Sequence, residues 1–186
     1  MLCYFLIMEK RNIVFIAKSL DGFIADKEGA LDWLTSVPNP DQVDMGYSKL
    51  ISRVDAIVMG RNTFELVCSF DIGWPYHLPV FVLSNSLGKV PQAYNDKAEV
   101  VKGSLQDILR QLNARGYNQL YIDGGLTIQS FLKEDLIDEL IITTIPILLG
   151  GGTPLFSDLP EPIAFKHIES AVYLDEIVQD IYIRKR

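Results

Sequence analysis

The chain has 186 residues, 48% of them hydrophobic and 22% charged, with a formal net charge of −7. This is the length of one domain with a sizeable core. The acidic balance excludes non-specific binding to nucleic acid or to an anionic membrane surface, since both need a basic face. Two cysteines, Cys3 and Cys68, and two widely separated histidines, His77 and His167, make neither a disulfide framework nor a His-based metal centre, and a reducing, cytoplasmic setting is expected.

Residues 1–8 are apolar, but the run is too short for a membrane span and lacks the basic start of a signal peptide. Residues 1–11 therefore read as a disordered or spurious extension, with Met8 as a second possible start, and a single domain is expected over 12–186. Asn12 to Ala17 is a continuous apolar run of strand length, the pattern of a strand buried on both faces. A loop follows through Asp21-Gly22 and Asp26 to Gly29, with Leu31 and Trp33 placed to pack over a cleft. Asp41 to Arg53 is predicted to be a helix, with Val43, Met45, Leu50 and Ile51 as its apolar residues. Asp55 to Met59 is a second buried strand, ending at Gly60 with a helix opening at Arg61. Val80 to Leu83 and Ala98 to Val101 are further strands.

Ser104 caps a predicted helix over 105–114, where Leu105, Ile108, Leu109 and Leu112 recur at i, i+3, i+4 and i+7. Leu120 to Ile122 is the next strand. It runs through Asp123-Gly124-Gly125 into a helix bearing Ile128, Phe131 and Leu132. Glu139 to Ile145 is a strand stopped by Pro146, and Gly150 to Gly152 is a flexible break. Two alternating runs, 165–174 and 177–183, read as an antiparallel hairpin turned at Asp175-Glu176. The alternation of strands and helices implies parallel pairs joined by crossovers. The expected fold is thus α/β: a mostly parallel mixed sheet flanked by helices, closed by a C-terminal antiparallel hairpin. No repeat or internal domain boundary is visible.

In such sheets ligands sit beyond the carboxyl ends of the strands. Three strand ends converge there: Gly60-Arg61-Asn62-Thr63, Ser84-Asn85-Ser86 and Asp123-Gly124-Gly125. Each alone is an ordinary turn. Together they offer a cation, hydroxyl and amide groups, and two helix N-termini, which attract phosphate. Arg61 can bind a phosphate in bidentate fashion.

Five segments occurring in order make the chain resemble the dihydrofolate reductase superfamily. They are Ser19 to Ala25, Val58 to Thr63, Val82 to Asn85, Ile122 to Gly125, and Ile145 to Gly152. The likeness is closest to the C-terminal reductase domain of bifunctional riboflavin-biosynthesis deaminase–reductases. The resemblance implies a dihydrofolate-reductase-like fold and NADPH as cofactor. Gly60, Arg61, Thr63, Ser84 and Asn85 would hold the adenosine phosphates. Gly124 and Gly125, with Thr127 and Ile128 on the following helix, would hold the pyrophosphate, and Ala17 and Ile24 would flank the nicotinamide.

It further implies hydride transfer to a small polar heterocycle, imine or carbonyl substrate, of the 5-amino-6-(5-phosphoribosylamino)uracil reductase type. Asp21 and Lys18 are the catalytic candidates, and Trp33 and Asp44 the substrate-binding candidates. No metal is expected. The sequence shows no zinc-ligand motif of an attached deaminase, so a stand-alone reductase acting as a homodimer is anticipated. The alternatives are pterin reduction of the dihydrofolate reductase type and a non-catalytic NADPH-binding regulatory protein.

Overall fold

The computed structural model describes residues 9–70 and 73–186. The expectation for residues 1–8 lies outside the described residues. Strand β1 (Arg11–Ser19) begins just ahead of the expected boundary and runs two residues further than its apolar core.

Eight strands form one sheet in the order β5-β4-β3-β6-β1-β7-β10-β9. These are β3 (Ala56–Gly60), β4 (Val80–Leu83), β5 (Ala98–Val101), β6 (Gln119–Asp123), β7 (Glu139–Ile145), β9 (Phe165–Tyr173) and β10 (Ile177–Arg184), together with β1. The first six in spatial order run parallel. β10 adds antiparallel to β7 and carries β9 at its edge. Residues 56–59 of β3 and 120–122 of β6 are all buried, which is why these strands are continuously apolar.

Helices cover both faces. On one, α3 (Leu105–Ala114) and α4 (Gly125–Lys133) set Ile108, Leu112, Ile128, Phe131 and Leu132 against Val14, Val58 and Ile122. On the other, the short α1 (Tyr47–Ile51) and α2 (Arg61–Cys68) set Leu50 and Phe64 against Ile13, Ile57, Met59 and Tyr121. Ser104 caps α3 as expected, its hydroxyl accepting from the backbone N–H of Asp107. Among the described residues no helix is long and apolar enough to cross a membrane.

Three local expectations are corrected. The helix over 41–53 is only α1, because side chains compete for its backbone. Asn39 accepts from the N–H of Val43, and Asp44 accepts from those of Gly46 and Ser48. Gln42, Met45 and Gly46 have positive φ, and such side-chain turns displace a helix. The Gly150–Gly152 break is followed by a short strand, β8 (Thr153–Pro154), paired antiparallel with β2 (Phe23–Ala25). This forms a two-stranded flap out of two stretches that read as loops. The hairpin turn spans three residues, 174–176, where two were expected, with Leu174 and Asp175 both at positive φ.

Candidate active site

β3 ends at Gly60, which is the N-cap of α2, and β6 ends at Asp123 one residue before Gly124, the N-cap of α4. The two strands are neighbours, with Met59 opposite Asp123. Two helix N-termini therefore open side by side. Neither is capped by a side chain, so their orphan N–H groups and positive partial charge face outward for an anion.

The two turns interlock. A Cβ on Gly124 would fall 2.2 Å from the Thr63 hydroxyl, and one on Gly60 would fall 2.8 Å from the Thr127 hydroxyl. Each threonine thus occupies the space left by the glycine of the other turn. Gly124 also has a φ of 91°, which L side chains rarely adopt. A Cβ on Gly125 would lie 2.4 Å from the Ile24 side chain, so the β2–β8 flap rests on the same turn. Gln129 of α4 fixes the flap from below by donating to the Pro154 carbonyl at 2.8 Å.

Above these turns lies a cavity of about 900 Å³, near the top of the range for ligand pockets. The structure brings the expected cofactor residues together around it. Gly60, Arg61, Thr63, Ser84 and Asn85 line it, as do Gly124, Gly125, Thr127, Ala17 and Ile24. Ile128 is fully buried beneath it and packs into the core instead. Arg61 donates to the Ser86 hydroxyl at 3.3 Å and lies 3.7 Å from Glu65. Ser84 accepts from the N–H of Leu87 at 2.9 Å. Arg61 remains partly exposed and can turn to a ligand.

The expected catalytic and substrate residues are placed elsewhere. Asp21 does not line the cavity. Its carboxylate accepts from the Ser19 hydroxyl at 2.6 Å and from the N–H groups of Leu149 and Gly150 at 3.1 and 2.7 Å. The Ser19 hydroxyl and these backbone donors hold its pKa below the usual carboxylate range. Asp21 ties the loop after β1 to the one that leads into the flap. Lys18 also lies off the lining, its ammonium 3.4 Å from the Ser19 carbonyl. Trp33 is buried against Val37, Ile145 and Ile177, with its indole N–H lacking a partner among the described residues. Asp44 is exposed and bound to the turn that starts α1.

Leu31, Phe15, Leu34, Phe70, Tyr76, Tyr121 and Asp123 line the same cavity; the sequence places Leu31 over a cleft and Asp123 in the third strand-end turn, and gives the others no role. Period-two alternation along β6 places Tyr121 and Asp123 on one face, a signal present in the sequence but given no role. Asp123 Oδ1 accepts from the Gly124 N–H at 2.8 Å. Burial pushes its carboxyl up to about 6, against the pull of that N–H and of the Tyr121 hydroxyl. The same carboxylate, with burial, raises the phenols of Tyr76 and Tyr121. The Tyr121 hydroxyl also donates to the Phe15 carbonyl at 3.1 Å. An acid that titrates near neutrality in a half-closed cavity can hold or release a proton for chemistry. Among the described residues no group of three or more His, Cys, Asp or Glu side chains could hold a metal ion.

The interlock has a measurable cost when broken. Gly124→Ala should lower the unfolding free energy by about 1–3 kcal/mol from backbone strain alone, with the Thr63 contact adding to it. Thr63→Ala in the same chain should recover the contact part, seen in denaturant melts as a double-variant cost below the sum of the singles. Additive costs would show that the two residues do not press on each other.

The RibD C-terminal domain family model matches residues 12–178. Among curated proteins, the uncharacterized Bacillus subtilis (strain 168) protein YwjB is 33% identical over 180 residues, covering 95% of this chain and 99% of its own. A crystal structure from Shewanella sp. PV-4, provisionally named a riboflavin biosynthesis protein, superposes with a TM-score of 0.93 at 62% identity, over 95% of this chain and 99% of that one.

More distant structures share the fold. A Thermotoga maritima diaminohydroxyphosphoribosylaminopyrimidine deaminase/5-amino-6-(5-phosphoribosylamino)uracil reductase has a TM-score of 0.73 at 20% identity, over 95% of this chain and 57% of that one. Enterococcus faecalis dihydrofolate reductase, complexed with NADP(H), has a TM-score of 0.65 at 18% identity, over 95% of this chain and 97% of that one. The chain belongs to the RibD C-terminal domain family.

Proposed function

We propose that this protein is an NADPH-dependent reductase acting on a small polar heterocycle in a reducing, cytoplasmic setting. The observation that carries the reading is the interlocked pair of uncapped helix N-termini beside Arg61 and Ser84, opening into a cavity that a titratable acid, Asp123, also lines. Two helix N-termini, one guanidinium and a hydroxyl turn suit a dinucleotide phosphate chain. The likeness to a dihydrofolate reductase that holds NADP(H) supports it.

Bound NADPH would supply the hydride. The N-terminal turn of α4 would hold the pyrophosphate by backbone N–H groups, and Arg61 with Ser84 would take the phosphate of the adenosine end. Ala17 and Ile24 would wall the nicotinamide, and the flap above Gly125 would exclude water. Asp123 would hold a proton for the reduced product.

The exposed apolar side chains Ile168, Val172 and Val178 on the edge hairpin support a homodimer formed through β9 and β10. In sedimentation velocity the wild-type chain should run as a dimer at micromolar concentration, and Val172→Glu should weaken the dimer about tenfold or more, or about 1.4 kcal/mol. A monomeric wild type would overturn the dimer.

The cofactor reading has a direct test. NADPH at 100 times its Kd should stabilise the fold by about 2.7 kcal/mol, visible as a rise in melting temperature. Arg61→Ala should cost about 1.5–3 kcal/mol of NADPH affinity, the worth of a charge-assisted hydrogen bond, and much less of NADH affinity. Equal losses for both cofactors would remove Arg61 from the phosphate end.

The proton carries a sign. Burial raises the folded-state pKa of Asp123 from 3.8 to about 6. Its stabilising effect is therefore complete below the unfolded value and is lost as pH rises through about 6. The acid is protonated below about pH 6, so kcat/KM should be flat there and fall about tenfold per pH unit above it. Asp123→Asn should abolish that limb, and a limb that survives in the variant would assign the proton to another group.

A further inference from the structure

Arg61 stands at the electrostatically unfavourable end of its helix. It is the first residue of α2, whose first turn holds no acidic side chain, so its charge adds to the positive end of the helix dipole. Glu65 follows one turn later, its Oε1 3.7 Å from Arg61 Nε. Arginine ahead of glutamate is the weaker order for an i,i+4 pair. With side chains 46% and 57% exposed, such a pair contributes little to the fold. Its consequence is where the guanidinium sits. Arg61 Nη1 donates to the Ser86 hydroxyl at 3.3 Å, and Ser86 Oγ lies 3.4 Å from Ser84 Oγ. The guanidinium is thus held between a carboxylate on α2 and the serine turn after β4.

Carboxylate and phosphate compete for the same guanidinium fork. Among the described lining residues of the cavity Arg61 is the one cation, and Glu65 does not line it. A phosphate that takes Arg61 leaves Glu65 without its partner and brings a second anion close to it. Both effects oppose the phosphate, and neither acts on a ligand that has no phosphate at that position.

We propose that Glu65 is a positioning residue that acts through Arg61 to set cofactor preference. It occupies the guanidinium when no phosphate is bound, weakens binding of the 2′-phosphorylated dinucleotide and so narrows the preference for NADPH over NADH. The assignment rests on the reductase reading, which puts the phosphate of the adenosine end on Arg61.

The test titrates NADPH and NADH calorimetrically into wild-type, Glu65→Gln and Glu65→Lys chains. Position 65 is exposed on α2, so both variants should fold. Glu65→Gln removes the charge and keeps the shape. It should raise NADPH affinity about two- to fivefold, the range of an exposed ion pair, and leave NADH affinity unchanged. Glu65→Lys should raise NADPH affinity further, to about tenfold. At about 1 M salt, where the Debye length is about 3 Å, the gain should largely vanish. In an Arg61→Ala background it should shrink, because the competition runs through the guanidinium. Unchanged or weaker NADPH binding by Glu65→Gln would overturn the assignment, as would an equal gain for NADH or a gain undiminished without Arg61. If neither nucleotide binds the wild-type chain, the reductase reading falls and takes the assignment with it. If NADPH binds the wild type and charge at position 65 makes no difference, the assignment falls alone.

Discussion

The exchange of glycine and threonine between two neighbouring turns governs the rest of the site. Thr63 fills the space over Gly124, and Thr127 fills the space over Gly60. Helix N-termini carry like partial charges and do not attract each other. They are brought together because β3 and β6 are hydrogen-bonded neighbours and each turn lacks a Cβ where the other needs room. The buried strands fix the spacing and the glycines permit it. The result is two helix N-termini held side by side by the sheet and by glycine–threonine packing.

Charge in the cavity is arranged around those N-termini. The helix ends and Arg61 contribute positive charge, and Asp123, at the end of β6, contributes the lining's carboxylate. Asp123 and Gly124 are consecutive, so the acid and the anion cradle are held in register by one peptide unit. The Gly124 N–H bonds back to the acid, while the following N–H groups face forward. A single strand-to-helix turn thus sets an anion-attracting helix end one residue from a carboxyl whose pKa burial raises.

Much of this was legible in the sequence, and the reason is local. Residues just past the end of a buried strand have their position set by the strand, so Gly60, Arg61, Thr63, Ser84 and Gly124 could be read as neighbours once the sheet was parallel. The same logic fails for loops. Val43, Met45, Leu50 and Ile51 resemble a helical face, but the Asn39 and Asp44 side chains capture the backbone first. Trp33 looked like a cleft residue, yet its burial depends on Ile145 and Ile177, more than a hundred residues away. Asp123 was in plain view inside a quoted motif. Its raised pKa depends on being enclosed within the fold, and no spacing reports that.

Asp21 shows how a motif can be read correctly as part of a family pattern and still do something different at the level of contacts. Its carboxylate receives two backbone N–H groups from the segment that leads into β8. β8 pairs with β2, the strand that follows Asp21, and Gly152 lies so close to the Ala25 carbonyl that a Cβ there would stand 2.1 Å away. The flap is therefore closed on itself by a carboxylate at one end and a glycine at the other, and it reaches the cradle through Ile24. The lining residues Gly60, Arg61, Ser84 and Gly124 come from strand ends that the sheet holds, whereas Leu31 and Leu34 come from the chain that leaves this flap. A fold built so can change part of the cavity wall by altering one loop, without touching the paired turns at the ends of β3 and β6.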